Sequence, residues 1–131
     1  MHKLIAFVRR KPGTTKQQFK DYYENYHSKL GEKFLPPLCK KYLRRYIEAV
    51  RHPMKTDQPP HPEFDCLVEF WFDSEADCRA FEASVSDPET MKYIVADEEK
   101  FVDRPNTFRF IVEDHLGWGP PEPGKALVRR D

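Results

Sequence analysis

The stretch LCKKYLRRYIEAV, residues Leu38 to Val50, decides the fold. Tyr42, Leu43, Tyr46, Ile47 and Val50 recur at helical spacing, yet the aromatic and β-branched content equally admits a strand. The flanks read more clearly. LIAFVRR from Leu4 reads as a first strand. KPGTT turns the chain, and Thr14 and Thr15 each have a glutamine three residues on (Gln17, Gln18), the capping-box spacing of a helix start. Phe19, Tyr22, Tyr23, Tyr26, Leu30 and Phe34 then recur at helical intervals up to the pair Pro36-Pro37. After Val50 comes RHPMKTDQPPHPE, too long and too rich in proline for a plain connector, which makes it a candidate lid or pocket rim. FDCLVEFWF alternates from Phe64, with Phe64, Cys66, Val68, Phe70 and Phe72 on one face and Asp65, Leu67, Glu69 and Trp71 on the other.

Ser74 reads as the cap of a short helix carrying Ala76, Ala80 and Phe81. Asp87, with Pro88 at the first helical position, restarts the helix. Met91, Ile94, Val95, Phe101 and Val102 give its apolar stripe. TFRFIVED is a last strand with Phe108, Phe110 and Val112 on one face. If Leu38 to Val50 is a strand, the order is β-α-β-β-α-β. That is an α+β, ferredoxin-like arrangement: a four-stranded antiparallel sheet with helices on one face. Residues 1–115 then form one domain, and residues 116–131, rich in Gly and Pro, an arm or disordered tail.

The 131 residues carry 22 basic and 22 acidic side chains, so the formal charge is zero and the basic footprint of a nucleic-acid binder is missing. No apolar run is long enough to span a bilayer, and MHKLIAFVRRKPG does not read as a signal peptide, so a cytoplasmic protein is expected. Cys39, Cys66 and Cys78 have no CxxC spacing and read as reduced core thiols. The five histidines fit no metal-ligand spacing, and no Gly-rich loop offers a phosphate cradle, so neither metal nor cofactor is expected. Aromatic residues make up 14% of the chain, enough for an aromatic core or for a pocket that takes a flat, apolar ligand.

Glu98 points along the centre of the apolar stripe of its helix, whereas Asp97 and Glu99 point to the flanks. A carboxylate held out of water must be paired or neutralised, and desolvation raises its pKa toward the range of a general acid or base. A structural Glu bonding a Tyr hydroxyl or backbone amide satisfies the same pattern. His27 lies on the flank of its own stripe near Tyr23, Leu30 and Phe34, a position that suits a structural histidine or a proton carrier. Helices on one face of one sheet can bring His27 and Glu98 to a shared cavity. Tyr42 and Tyr46 share a strand face, and a phenol there can hold a carbonyl or enolate oxygen. His52 and His61 stand in the Pro-rich loop, either solvated or closing over a ligand.

The opening strand, KPGTTKQQFKDYYENYHSKL and DEEKFVDRPNTFRFIVED together resemble the EthD-domain family of dimeric α+β barrel proteins. The pieces that carry the resemblance are KPG-T-x-x-x-F, the Y-x-x-x-H of Tyr23 and His27, and the D-E-x-x-F of Asp97, Glu98 and Phe101. The resemblance implies that Leu38 to Val50 is a strand and that two protomers pair their sheets as a homodimer. The Pro-rich loop and tail look like those of fungal members associated with aromatic polyketide pathways, where similar small proteins act without cofactors as decarboxylases, dehydratases or cyclases. Ser28-Lys29-Leu30 departs from the pattern, since many relatives have Pro after the His. On that basis the expected function is a cofactor-independent lyase or cyclase on an aromatic polyketide-like acid. His27, Glu98 and Tyr46 would be its catalytic groups; Phe19, Tyr22, Tyr23, Phe34, Tyr42, Phe70, His52 and His61 would contact substrate. A cofactor-free anthrone-type oxygenase and a non-catalytic ligand-binding or accessory protein are the alternatives.

Overall fold

Lys41–Tyr46 is a strand, and the computed structural model, which describes residues 2–49 and 63–120, shows what overrules its helical spacing. Every residue of this strand pairs antiparallel with Cys66–Phe72, from Lys41 opposite Trp71 to Tyr46 opposite Cys66. Pairing satisfies the backbone polar groups, and the period of two turns Tyr42, Arg44 and Tyr46 toward the helices.

The elements in chain order are β1 (His2–Val8), α1 (Lys16–Tyr22), α2 (Ser28–Phe34), β2 (Lys41–Tyr46), β3 (Cys66–Phe72), α3 (Glu75–Val85), α4 (Pro88–Glu98) and β4 (Phe108–Val112). A π-helical turn, Tyr23–His27, joins α1 to α2, and a 3₁₀ turn, Arg104–Asn106, precedes β4. The strands lie in the order β2-β3-β1-β4, all neighbours antiparallel, so the expected α+β ferredoxin-like sheet is present. His52 and His61, with the rest of the Pro-rich loop through Pro62, lie outside the described residues, as does the tail beyond Pro120.

Local signals place the helices. Thr15, rather than Thr14, closes the capping box: its hydroxyl accepts from the Gln18 amide at 3.0 Å, and the Gln18 side chain accepts from the Thr15 amide at 2.9 Å. Such a cap is worth about 1 kcal/mol. Ser74 and Asp87 cap α3 and α4 with half of this arrangement, their side chains accepting from the amides of Asp77 and Thr90.

One core cluster gathers Ala6, Val8, Phe19, Tyr23, Cys66, Val68, Phe101 and Val102; a second gathers Leu4, Leu35, Cys39, Phe72, Cys78, Phe81 and Val85. The three cysteines are free and buried. The register sets Arg109, Ala6, Val68 and Arg44 in one row across the inner face, apolar in the middle and cationic at both edges. No residue of α4 is fully buried, so this helix stands off the sheet and leaves space beneath it.

One assignment of a strand face changes. Phe64 was expected beside Cys66, but β3 begins only at Cys66. Ahead of it the Asp65 carboxylate turns to accept from the Arg10 amide at 2.9 Å. Phe64 therefore packs on the outer face, 5.3 Å from Phe7 and 6.4 Å from Phe108 between ring centres. Phe108, Phe110 and Val112 share one face as expected, opposite Phe7, Ile5 and Lys3, and it is the face turned away from the helices. Phe108 and Phe110 are about half exposed there.

Candidate active site

The π turn is the starting point, because it sets two residues of the site at once. It opens the helix by one residue between Tyr22 and Ser28, with Tyr23 at its start and His27 at its end. The rings of Tyr23 and His27 meet edge to face at 5.3 Å, and His27 also lies 5.0 Å from the Phe101 ring.

His27 sits between two carboxylates. Its Nδ1 is 2.7 Å from Oδ2 of Asp97, and its Nε2 is 4.0 Å from Oε1 of Glu98. A carboxylate can only accept, so Nδ1 carries the proton in that bond and Nε2 is left to exchange protons with a ligand. Asp97 is held in turn by the Tyr22 hydroxyl, which donates to Oδ1 at 2.5 Å. Burial, then the Asp97 carboxylate, pushes the Tyr22 phenol up to about 12, so it remains a neutral donor.

Glu98 is less enclosed than its place on the stripe implied. Its side chain is 29% exposed, and Oε2 accepts from Arg104 Nε at 3.1 Å. At 4.0 Å its Oε1 is too far from Nε2 for a direct hydrogen bond. The carboxylate that grips the imidazole is Asp97, which the helical wheel had assigned to the flank.

A cavity of about 520 Å³ lies between the inner sheet face and the helices, with His27 and Glu98 both in its wall. Tyr23, Phe34, Tyr42, Phe70 and Phe101 supply aromatic lining; Leu30, Leu35, Val85, Met91 and Ile94 supply aliphatic lining. Arg104, Arg109 and Thr107 add polar groups. Arg109 projects from β4 and donates to Glu82 at 2.7 Å.

The residues singled out from sequence divide accordingly. His27, Glu98, Tyr23, Phe34, Tyr42 and Phe70 line the cavity. Phe19 is only 1% exposed and packs in the core beneath Phe101, outside the lining. Tyr22 acts behind the site through Asp97. Tyr46 faces the helices as its strand parity requires, but at the far end of β2 its hydroxyl is taken by Glu24, to which it donates at 2.6 Å. Arg44 grips the same carboxylate through Nε at 2.5 Å and Nη2 at 2.9 Å. That pair of bonds, aided by Tyr46, holds Glu24 down at about 2. Tyr46 is thus committed to an ion cluster. Asp97, Arg104 and Arg109 were not anticipated. The adjacent D-E pair was visible in sequence, whereas nothing local marked the arginines.

A family model described as the EthD domain matches residues 11–105. Among solved structures, the chain is similar to an EthD family protein of Bacillus halodurans C-125 at 26% identity and a TM-score of 0.59, covering 88% of this chain and 99% of that one. An EthD-like protein of Ralstonia eutropha JMP134 aligns at 17% identity and a TM-score of 0.62, covering 89% of this chain and 94% of that one. HapK of Hahella chejuensis aligns at 14% identity and 0.57, covering 92% and 98%. The latter two likenesses are of fold alone. No curated protein matches the chain. The family match spans the turn that carries His27 and the helix that carries Asp97 and Glu98, and the chain belongs to the EthD domain family.

Proposed function

We propose that the protein is a cofactor-independent lyase of the fungal aromatic-polyketide type, a decarboxylase or dehydratase acting on an aromatic polyketide-like acid. The observation that carries this reading is an imidazole fixed at Nδ1 by Asp97, with Nε2 unspent, in the wall of an aromatic cavity. A proton carrier of this kind contributes about 10²–10⁴-fold to rate. Arg104 and Arg109 stand in the same wall, each paired with a carboxylate, Glu98 and Glu82, with which an anionic ligand would share them.

For a hydroxyaryl acid, protonated His27 delivers its Nε2 proton to the ring carbon that bears the carboxylate. The bond to the carboxylate carbon then breaks, CO2 departs, and the electron pair of that bond restores the aromatic ring. His27 regains its proton from water. Dehydration uses the same nitrogen in the opposite sense: Nε2 takes a proton from the carbon next to a carbonyl, and the hydroxyl one carbon further leaves as water after receiving a proton. In this reading Glu98, 4.0 Å from Nε2, passes protons between the imidazole and the rim through an intervening water or ligand group.

The test is incubation with anthraquinone- and anthrone-type carboxylic acids, following release of CO2 or water in air and under argon. Turnover should be independent of oxygen and should collapse in His27→Ala. Equal turnover in wild type, His27→Ala and Glu98→Gln would remove both residues from the mechanism. The same reading includes a homodimer joined through the outer sheet face, which the exposed Phe108 and Phe110 support.

A further inference from the structure

We propose that Tyr23, backed by Tyr42, is the hydrogen-bond donor for the oxyanion of a hydroxyaryl or β-keto ligand in the cavity, beside the imidazole of His27. The inference rests on the cavity being the reaction site and adds the group that takes up the negative charge, the role for which Tyr46 is unsuited.

The two phenols form one unit. Tyr42 donates to the Tyr23 hydroxyl at 3.1 Å, and both residues line the cavity. Two hydroxyls sharing one hydrogen bond leave one proton over, and among the described residues no side chain or carbonyl accepts from Tyr23. Tyr23 is 4% exposed, so bulk water does not freely replace that acceptor. A buried donor without an acceptor favours a ligand that brings an oxygen to it.

The pair is held in place from several sides. Tyr42 stacks on Phe70 at 5.3 Å with the ring planes 24° apart. From α2, Gly31 lets the phenol end of Tyr42 approach: a Cβ there would stand 3.2 Å from Cε2 and 3.6 Å from Cζ of that ring. The charged and titratable neighbours are Arg44 on β2, with its guanidinium carbon 4.8 Å from the Tyr42 ring centre and 5.9 Å from that of Tyr23, and Glu24, Tyr46, Cys66 and His27. Burial pushes Tyr42 up to about 12 and Tyr23 well above the usual phenol range, so both remain protonated donors.

Tyr23 and His27 therefore offer complementary chemistry from one helical turn. When Nε2 of His27 removes a proton from carbon, the carbon–hydrogen electron pair moves toward the ligand oxygen. Tyr23 donates to the oxyanion so formed, keeping its own proton. When Nε2 returns the proton, the oxygen reverts to a carbonyl or phenol and the hydrogen bond weakens. A donor of this kind, realised as charge develops, acts on kcat more than on KM.

The probe is 2-hydroxyanthraquinone, whose visible absorbance reports whether its hydroxyl is ionised while bound. In wild type and in the near-isosteric Tyr23→Phe, binding is measured first, and the bound dye is then titrated with pH. The variant should bind the neutral dye within about threefold of wild type, but its ratio of bound anion to bound neutral dye should fall about tenfold at a given pH. On a turned-over substrate, kcat should fall about 10²-fold with KM little changed. Tyr42→Phe, which keeps the Tyr23 donor but removes its support, should shift the dye in the same direction by less. An unshifted dye equilibrium in both variants overturns the inference, as does failure of wild type to bind the dye. The dye experiment needs no turnover. A shift in the absence of any lyase activity would therefore leave the oxyanion donor standing while the lyase reading falls.

Discussion

Asp97→Asn isolates what the carboxylate does for the imidazole, because it changes charge and hydrogen-bond direction with almost no change in volume. Asp97 accepts twice, from His27 Nδ1 at 2.7 Å and from the Tyr22 hydroxyl at 2.5 Å. An amide has one oxygen and one NH2, so only one of those two donors keeps an acceptor. If the oxygen remains with Tyr22, the NH2 faces Nδ1, and the favoured tautomer moves the ring proton to Nε2. The nitrogen in the cavity wall then carries the single ring proton: it cannot act as the base of the dehydration, and giving that proton up for decarboxylation would leave an imidazolate. Losing one charge-assisted bond costs about 1.5–3 kcal/mol of stability, moderated by the residual exposure of the pair, 14% for His27 and 17% for Asp97. Turnover should fall by about 10²–10⁴-fold, the range for one proton-transfer group. Steady-state rates, urea unfolding and the nitrogen-15 chemical shifts of the His27 ring test the three parts separately. Wild-type turnover in a variant whose Nε2 is shown to be protonated would refute the reasoning.

Three further outcomes follow from other parts of the structure. In Gly31→Ala the helix gains about 1 kcal/mol in propensity, but the new methyl stands 3.2 Å from the Tyr42 ring; unfolding free energy should change little while kcat drops several-fold, and unchanged kcat would mean that the Tyr42 position is unimportant. Arg44 and Tyr46 hold Glu24 at about 2, below the ordinary carboxylate value, so the stabilisation they provide is complete above about pH 5 and is lost as pH falls toward 2. The unfolding free energies of wild type and Glu24→Gln should therefore differ at neutral pH and converge in acid, and a constant gap between pH 7 and 2.5 would contradict this. Phe110→Glu places a charge on the exposed outer face of the sheet, and sedimentation should show a monomer, against the dimer proposed for wild type.

How far the sequence could be read varied with the range of the signal. The helix starts were legible because their caps are complete within three residues, as Thr15 with Gln18 shows. β3 was legible from its alternation, but Phe64 was not: the turn of Asp65 toward Arg10 is a contact across 55 positions. The strand Lys41–Tyr46 had to come from resemblance, since only pairing with β3 distinguishes it from a helix. The same limit governed the site. A helical wheel gives the direction in which Asp97 and Glu98 point, but not which of them meets His27, 70 positions away on another helix. Strand parity placed Tyr46 on the helix-facing side, yet only the neighbouring helix supplies the Glu24 that engages its hydroxyl. Arg109 reaches the cavity wall because β4 lies at the sheet edge with Arg109 opposite Ala6, a consequence of strand order with no local counterpart.

The widened turn from Tyr23 to His27 gears the two halves of this helix together. Deleting one residue within it would restore ordinary α-helical winding, and because the widened turn takes up its extra residue in nearly the same rotation, everything downstream would keep its direction relative to the first half. Leu30, Gly31 and Phe34 would stay on the chamber they now enclose, while the residues inside the turn exchange places. Chain length in these five positions is consequently a tighter constraint than side-chain identity at most of them: a conservative exchange leaves the gearing intact, whereas a one-residue deletion keeps the wall but loses the spacing that sets His27 against both Tyr23 and Asp97.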